Sequence, residues 1–429
     1  MQSRTPATTF DALVVGGGPA GLSCSYTLAK KGYRVAVLER GRTPGTKNLF
    51  GGRLYSSPLE RVYGSLKDAP VERWVKHERI SMMDDDGAFS VGYDSAVSTS
   101  FTTYLSKLVG WMASKAEAEG VTIVTDVRVD EVVMENGKAV GVLAGGDRID
   151  SDVVVVAEGV NRLLCERMQV VPPLSPGQVA LGARQVIKIG AEKINERFGL
   201  AGDEGLAWFF LGRPSGYLPG GGFLYTSSST VSLGLVLYLQ EGMSVSSKHV
   251  FEILEDFRNS PPIGQLLSGG SVVEYGSHLI PEAGLKMSPS RLYGDGFVIV
   301  GDAAGLVLNL GYTVRGVDFA VHSGYLAAQA ISDAHSSGSF ASENLATYGN
   351  KLNESFVIRE MRRHNAIRKL MNKKHVFDVY PRVMVDAARR LYEFDETSPK
   401  FLEVGRRSMK GKRSPLGMLN DLLLLARGP

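Results

Sequence analysis

Cysteine is nearly missing from this 429-residue chain, with Cys24 and Cys165 its only two. Two thiols cannot supply the four ligands that an iron–sulfur cluster usually takes, and their wide separation fits no zinc pattern. Isolated cysteines also suit a reducing compartment. Long apolar runs are absent too: nothing approaches the roughly 18–20 apolar residues of a membrane span. The opening MQSRTPATT carries no apolar signal segment, so a cytoplasmic protein is expected. Charge of one sign is lacking as well. The chain has 48 Lys and Arg against 45 Asp and Glu, a net +3. That is too little to argue for nucleic acid, and no module built for it is visible. Glycine, by contrast, is plentiful: 50 residues, clustered at turns rather than in a low-complexity tract. With 44% hydrophobic residues, the chain is long enough for two or three domains around a substantial core.

The most informative stretch is FDALVVGGGPAG, residues 10–21. Asp11 to Val15 reads as a buried parallel strand running into Gly16-x-Gly18-x-x-Gly21 and then a helix. Gly16 permits a tight turn, Gly18 lets backbone approach a pyrophosphate, and Gly21 lets the helix pack on the strand. Phosphates would sit at the helix N-terminus over Pro19 and Ala20, where free N–H groups and the dipole favour negative charge. A second strand, RVAVL, ends in Glu39, 23 residues after Gly16, where a carboxylate meets ribose hydroxyls.

Two later strand ends repeat the theme. DVVVVAEGVN (152–161) is a buried strand stopping at Ala157-Glu158-Gly159, which allows close backbone approach at the sheet's carboxyl edge. GDGFVIVGDAAG (294–305) leads through a buried strand to Gly301-Asp302 and a helix start. Its acid can bind a ribitol or ribose hydroxyl. Between the first two lies a Gly-, Pro- and Arg-rich loop, residues 41–55, with Gly51-Gly52 suited to approach a flat ring and Arg53 near phosphate or flavin. Residues 79–100 read as short strands and 104–120 as an amphipathic helix. Residues 121–142 read as a meander turning at Asn136-Gly137. From 179 to 282 alternating strands with many Gly and Ser indicate a mostly antiparallel sheet. A long helix is expected over 317–335. The last 90 or so residues are helical and basic, with Arg406, Arg407, Lys410, Lys412 and Arg413 ahead of PLGMLNDLLLLAR. Such a segment either lies on an anionic membrane surface or docks on the protein or a subunit.

The order of these parts resembles the glutathione-reductase-like FAD flavoproteins that include aromatic hydroxylases and geranylgeranyl reductases. Narrower motifs resemble the FixC family. They are Lys47-Asn48 with Gly51-Gly52-Arg53-Leu54-Tyr55, GGGFLYT at 220–226, SLGLV at 232–236, PEAG at 281–284, and GDAAG at 301–305 followed by NLGYTVRG at 309–316. The resemblance implies an α/β fold: a glutathione-reductase-like FAD-binding Rossmann domain (1–178 and 283–345) with an inserted, mostly antiparallel β substrate or quinone domain (179–282) and a helical basic C-terminal region (346–429). Cofactor contacts are expected at Gly16, Gly18, Pro19, Ala20, Gly21, Glu39, Arg40, Gly51, Gly52, Arg53, Gly159, Gly301 and Asp302, with Gly311 and Tyr312 near the isoalloxazine. Relatives often carry an arginine early in the helix of residues 104–120, near the FAD phosphates, at the position that Leu105 holds here. Its absence shifts phosphate neutralisation to Arg40 or Arg53.

The same resemblance implies function. A bound FAD takes electrons from an electron transfer flavoprotein (FixA- and FixB-like subunits) and passes them to a quinone, as the quinone branch of an electron-bifurcating FixABCX-like complex. The cluster that this chain lacks the thiols for would reside on a ferredoxin-like, FixX-like iron–sulfur subunit. Location is expected to be cytoplasmic, with peripheral contact on the cytoplasmic face of the membrane under the first reading of the terminal segment. Flavin carries the redox chemistry, so no acid, base or nucleophile is assigned. YLPGGGFLY, 217–225, is the candidate quinone-side wall. The rivals are a geranylgeranyl-reductase-type prenyl reductase, disfavoured because its Tyr-x-Trp-x-Phe-Pro stretch is missing before Gly220, and an FAD-dependent aromatic hydroxylase. A third is a flavin-bearing assembly subunit whose FAD never turns over.

Overall fold

The structure, a computed structural model, describes residues 10–46, 51–242 and 248–426. The expected motif at Lys47-Asn48 lies outside the described residues. The nucleotide half begins with β1 (Phe10–Val15), the helix Pro19–Ala29 and β2 (Val35–Leu38). Four strands follow, β3 (Gly51–Tyr55), β4 (Arg73–Met83), β5 (Ala88–Asp94) and β6 (Ser100–Tyr104), and then the helix Leu105–Ala118. Next come β7 (Thr122–Val124), β8 (Val129–Glu135), β9 (Lys138–Ala144) and β10 (Asp147–Val156).

Strands β11 (Val179–Lys188), β12 (Glu204–Gly212), β13 (Gly220–Thr226), β14 (Thr230–Tyr238) and β15 (Ser271–Pro281) make up most of the second sheet. The chain then returns through β16 (Tyr293–Gly294), β17 (Phe297–Ile299) and a small hairpin of β18 (Leu308–Asn309) and β19 (Val314–Arg315). It ends in helices, beginning with Val317–Ser336.

The first sheet has the order β16-β17-β10-β1-β2-β7, and β17, β10, β1, β2 and β7 run parallel. Its centre is dictated by composition. Val153 to Val156 are completely buried, and burying each valine contributes about 1.5 kcal/mol, which favours this strand at the centre of the sheet. One face is covered by the helices Pro19–Ala29 and Val317–Ser336, which touch where a Cβ on Gly324 would stand 2.1 Å from the Ala20 carbonyl oxygen. The Asn136-Gly137 turn forms as expected, both residues having positive φ, and joins β8 to β9. Thr122–Val124, read as the start of that meander, instead pairs with β2 at the sheet edge.

The second sheet has the order β15-β11-β14-β13-β12-β4-β6-β3, with β5 on β4, and is antiparallel except where β12 meets β4. Four of its nine strands come from residues 51–104, which the sequence reading placed with the nucleotide domain. Gly51–Tyr55, expected as loop, is one of them: β3 pairs with β6 from Gly51 opposite Tyr104 to Tyr55 opposite Ser100.

Candidate functional site

The turn after β1 is built by close approach. Gly16 has φ +107°, and a Cβ there would lie 2.4 Å from the Ala157 carbonyl oxygen at the end of β10. On Gly21 it would lie 2.1 Å from the Gly16 oxygen, so Gly21 packs the helix on the turn and is not itself at the cavity surface. Gly18 differs. It is the N-cap of the helix, in extended conformation and without a side-chain cap. A Cβ on it would meet no protein atom within 4 Å.

Glu39, ending β2, accepts from the Gly17 N–H at 2.8 Å and the Gly41 N–H at 2.6 Å. Each oxygen retains a lone pair for a ribose hydroxyl. These groups line one cavity of about 380 Å³, within the roughly 300–1,000 Å³ range of cofactor pockets. The ends of β1, β2, β10 and β17 form one side of it, and β11, β13 and β15 the other.

Of the residues expected to hold the cofactor, Gly16, Gly18, Pro19, Ala20, Glu39, Arg40, Arg53, Gly159, Gly301 and Asp302 line this cavity. Gly52 does not line it, and β3 pairs Gly51 with Tyr104 and Gly52 with Thr103 of β6. Gly311 and Tyr312 do not line it either. Gly311, at the turn of the β18–β19 hairpin, packs on Met371, and Tyr312 is 52% exposed. Within 217–225, Phe223 reaches the cavity, whereas Gly222 packs against the Phe257 ring.

The electrostatics divide the lining. Arg53, expected at phosphate or flavin, is held by Glu78 at 2.7 Å, Tyr55 Oη at 2.9 Å and Ser100 Oγ at 3.1 Å. Burial raises the Glu78 pKa, and Arg53 opposes the rise. Asp302 sits in a single 3-10 turn, Gly301–Ala304, rather than at the start of a longer helix. Burial pushes its pKa up to about 6. Asp318, on the first turn of the helix Val317–Ser336, receives the Arg315 guanidinium at 2.6 and 2.8 Å. Burial raises the Asp318 pKa and Arg315 counters it. Arg315 in turn lies over Tyr55, Phe319 and Phe356.

The sequence reading named Glu158 at a strand end without giving its side chain a role, and it missed Arg184. Glu158 accepts from the Leu164 and Cys165 N–H groups, both at 2.8 Å, and so caps the short helix Leu163–Arg167, which forms part of the cavity wall. Arg184 faces the cavity from β11; the available signal was a lone arginine in the apolar strand VALGARQVIKI.

An uncapped helix start, an open cradle at Gly18 and a ribose-ready carboxylate together fit the pyrophosphate and ribose of FAD. The comparisons agree. A family described as NAD(P)-binding Rossmann-like domain matches residues 14–61, and one described as FAD dependent oxidoreductase matches 55–330. The chain is an FAD-dependent oxidoreductase. Protein FixC of Salmonella typhi is 40% identical over 91% of this chain and 92% of its own. The probable electron transfer flavoprotein-quinone oxidoreductase YdiS of Escherichia coli is 40% identical over 96% of each. The chain therefore belongs to the FixC family and is an oxidoreductase of electron transfer. Among solved structures, a geranylgeranyl bacteriochlorophyll reductase-like protein from Thermoplasma acidophilum superposes with TM-score 0.73 at 19% identity, covering 96% of this chain and 99% of that one. The halogenase CndH superposes at 0.63 and 17% identity, covering 97% and 90%. These two share the fold.

Proposed function

We propose that this chain passes electrons from an electron transfer flavoprotein to a quinone, as the quinone-branch subunit of an electron-bifurcating, FixABCX-like complex. The observation that carries the reading is the near full-length 40% identity to FixC and to a probable electron transfer flavoprotein-quinone oxidoreductase. FAD, when bound, supplies the redox chemistry by accepting and releasing electrons. The chain's own part is to hold and shield it. Gly16, Gly18, Pro19 and Ala20 present backbone to the pyrophosphate, Glu39 orients the ribose, and Asp302 faces the ribitol. Phe223 on the second sheet forms part of the acceptor side.

Cys24 and Cys165 are both buried, and burial pushes their thiols well up. This supports an iron–sulfur centre on a separate ferredoxin-like subunit. No helix among the described residues is long and apolar enough to cross a membrane. Phe401, Leu402, Leu416 and Leu419 are exposed near the basic Arg406, Arg407, Lys410 and Lys412. That supports peripheral contact with an anionic membrane surface on the cytoplasmic side.

The test is purification of the native complex, identification of its subunits and prosthetic groups, and anaerobic mixing with reduced electron transfer flavoprotein and then a quinone. Reduction of the FAD by the flavoprotein and its reoxidation by the quinone are expected, together with an iron–sulfur companion. A complex without that companion, or FAD reduced only by NAD(P)H alone, overturns the reading.

A further inference from the structure

Among the described residues, Asp421 is the one carboxylate that collects three basic side chains. Lys373, His375 and Arg413 meet it at 2.7, 2.8 and 2.7 Å. No second carboxylate of the described residues comes within ion-pairing distance of any of the three. Lys373 and Arg413 alone bring two positive charges against one negative. A cation held in a partly buried site without a counter-charge is costly, so the cluster is one anion short. Its open side is the basic one. The Asp421 side chain is 3% exposed, whereas those of Lys373, His375 and Arg413 are 36%, 21% and 25% exposed. Lys373 spends one ammonium N–H on Asp421, and an ammonium has further donors to offer.

The backbone adds charge of the same sign. Lys373 is the N-cap of the 19-residue helix Lys374–Tyr392, which has no side-chain cap and no acid in its first turn. The positive end of that helix dipole therefore lies at the cluster, where it favours an anion. Lys374, Lys410 and Lys412, close to the three in sequence, are exposed as well. The terminal helix Pro415–Ala426 says which anion. Its exposed Leu416, Leu419 and Leu423 are spaced three and four apart and share one face. At about 100° per residue, Leu419 and Leu423 stand about 200° to either side of Asp421, on the opposite face. An interfacial helix sinks its apolar face about 5–10 Å, and its diameter with side chains is about 10–12 Å. With the leucines inserted, the basic cluster stands at the level of the lipid headgroups.

We propose that Lys373, His375 and Arg413 form a binding site for the phosphate group of an anionic lipid, with Leu416, Leu419 and Leu423 in the acyl region beneath it. The proposal rests on the membrane-contact reading given above and deepens it by naming the residues that take the headgroup. A free phosphate ion shares the chemistry but leaves the three leucines in water.

The experiment sediments the full chain with vesicles of phosphatidylcholine alone, or of phosphatidylcholine and phosphatidylglycerol in equal parts. Wild type is expected to bind the mixed vesicles and not phosphatidylcholine alone. Lys373→Gln and Arg413→Gln are each expected to weaken that binding about fivefold, the share of one cation at an anionic surface. Asp421→Asn removes the one negative charge of the cluster and is expected to tighten binding by about the same factor. A cluster that merely holds the helix in place predicts the reverse for Asp421→Asn, because breaking it loosens the helix in every variant.

Limited proteolysis near residues 410–414 reports whether the terminal helix stays docked, and Arg413→Gln carries the test if Lys373→Gln releases it. Wild type that ignores the mixed vesicles overturns both the proposal and the membrane-contact reading. Wild-type binding by Lys373→Gln and Arg413→Gln, with weaker binding by Leu416→Ser, overturns the headgroup site and keeps the membrane contact. An unfolding temperature raised by inorganic phosphate, in a wild type that binds no vesicles, assigns the site to a free ion and overturns the lipid.

Discussion

Asp302 shows how surroundings, rather than residue type, set charge in this site. It lines the cavity, and burial pushes its pKa up to about 6 from an ordinary value near 3.8. A carboxyl whose folded pKa is raised binds its proton more tightly folded than unfolded. Its stability contribution is therefore lost as pH rises through the window from about 4 to about 6 and stays lost above it. Asp302→Asn removes that penalty. The stripped variant is expected to be more stable than wild type at pH 7.5, by at most about 3 kcal/mol for a shift of two units, with the gain vanishing near pH 4. Denaturant unfolding at both pH values checks this, and a gain independent of pH refutes it. At this scale the legible residues are contiguous ones: Gly16, Gly18, Gly21 and Glu39 are spaced by a local strand–turn–helix–strand unit. Arg184 was not legible, because what meets the cavity from β11 depends on a partner sheet distant in sequence.

The terminal helix Pro415–Ala426 illustrates the element scale. The sequence left two readings open for it, membrane surface or docked helix, and one carboxylate does much of the docking. Asp421 is buried and meets Lys373 at 2.7 Å, His375 at 2.8 Å and Arg413 at 2.7 Å, and accepts from the Tyr380 hydroxyl. Burial alone would raise its pKa, but hydrogen bonds from Lys373, Tyr380, His375 and Arg413 outweigh it and hold the carboxyl well below its usual range. The stabilisation is then present above the ordinary carboxylate pKa and fades in strong acid. Asp421→Ala leaves cations without their partner, at a cost of about 3 kcal/mol. Limited proteolysis at neutral pH is expected to cut near residues 410–414 in that variant and to spare wild type. The docked helix still exposes Leu416 and Leu419, so docking and surface contact are compatible. Gly51–Tyr55 gives the opposite lesson. Two adjacent glycines read as loop, and only the distant Ser100–Tyr104 supplies the hydrogen bonds that make it a strand.

For the whole molecule the decisive fact is that the cavity belongs to neither sheet alone. A ligand that needs both sheets binds the folded chain and not the unfolded one. FAD at a hundred times its Kd is therefore expected to add about 2.7 kcal/mol of stability, read as a rise in the unfolding temperature of the stripped protein. Gly18→Val discriminates a bound cofactor from a general additive effect. Its Cβ meets no protein atom within 4 Å, on an extended backbone that any residue adopts, so the unfolding temperature without FAD should stay put. The FAD-dependent rise should disappear, because the side chain fills the cradle. A rise preserved in Gly18→Val places FAD elsewhere.

The amino-acid sequence by itself determined the nucleotide-binding half. Buried valine runs ending in glycine and acid carry their own instructions, since parallel strands and their phosphate turns are specified within about 30 residues. Tertiary structure alone decided which strands of 51–104 joined the second sheet, and that Arg184 lines the cavity. Those outcomes depend on hydrogen bonds and burial between segments 50 to 150 residues apart, where no local period records the partner.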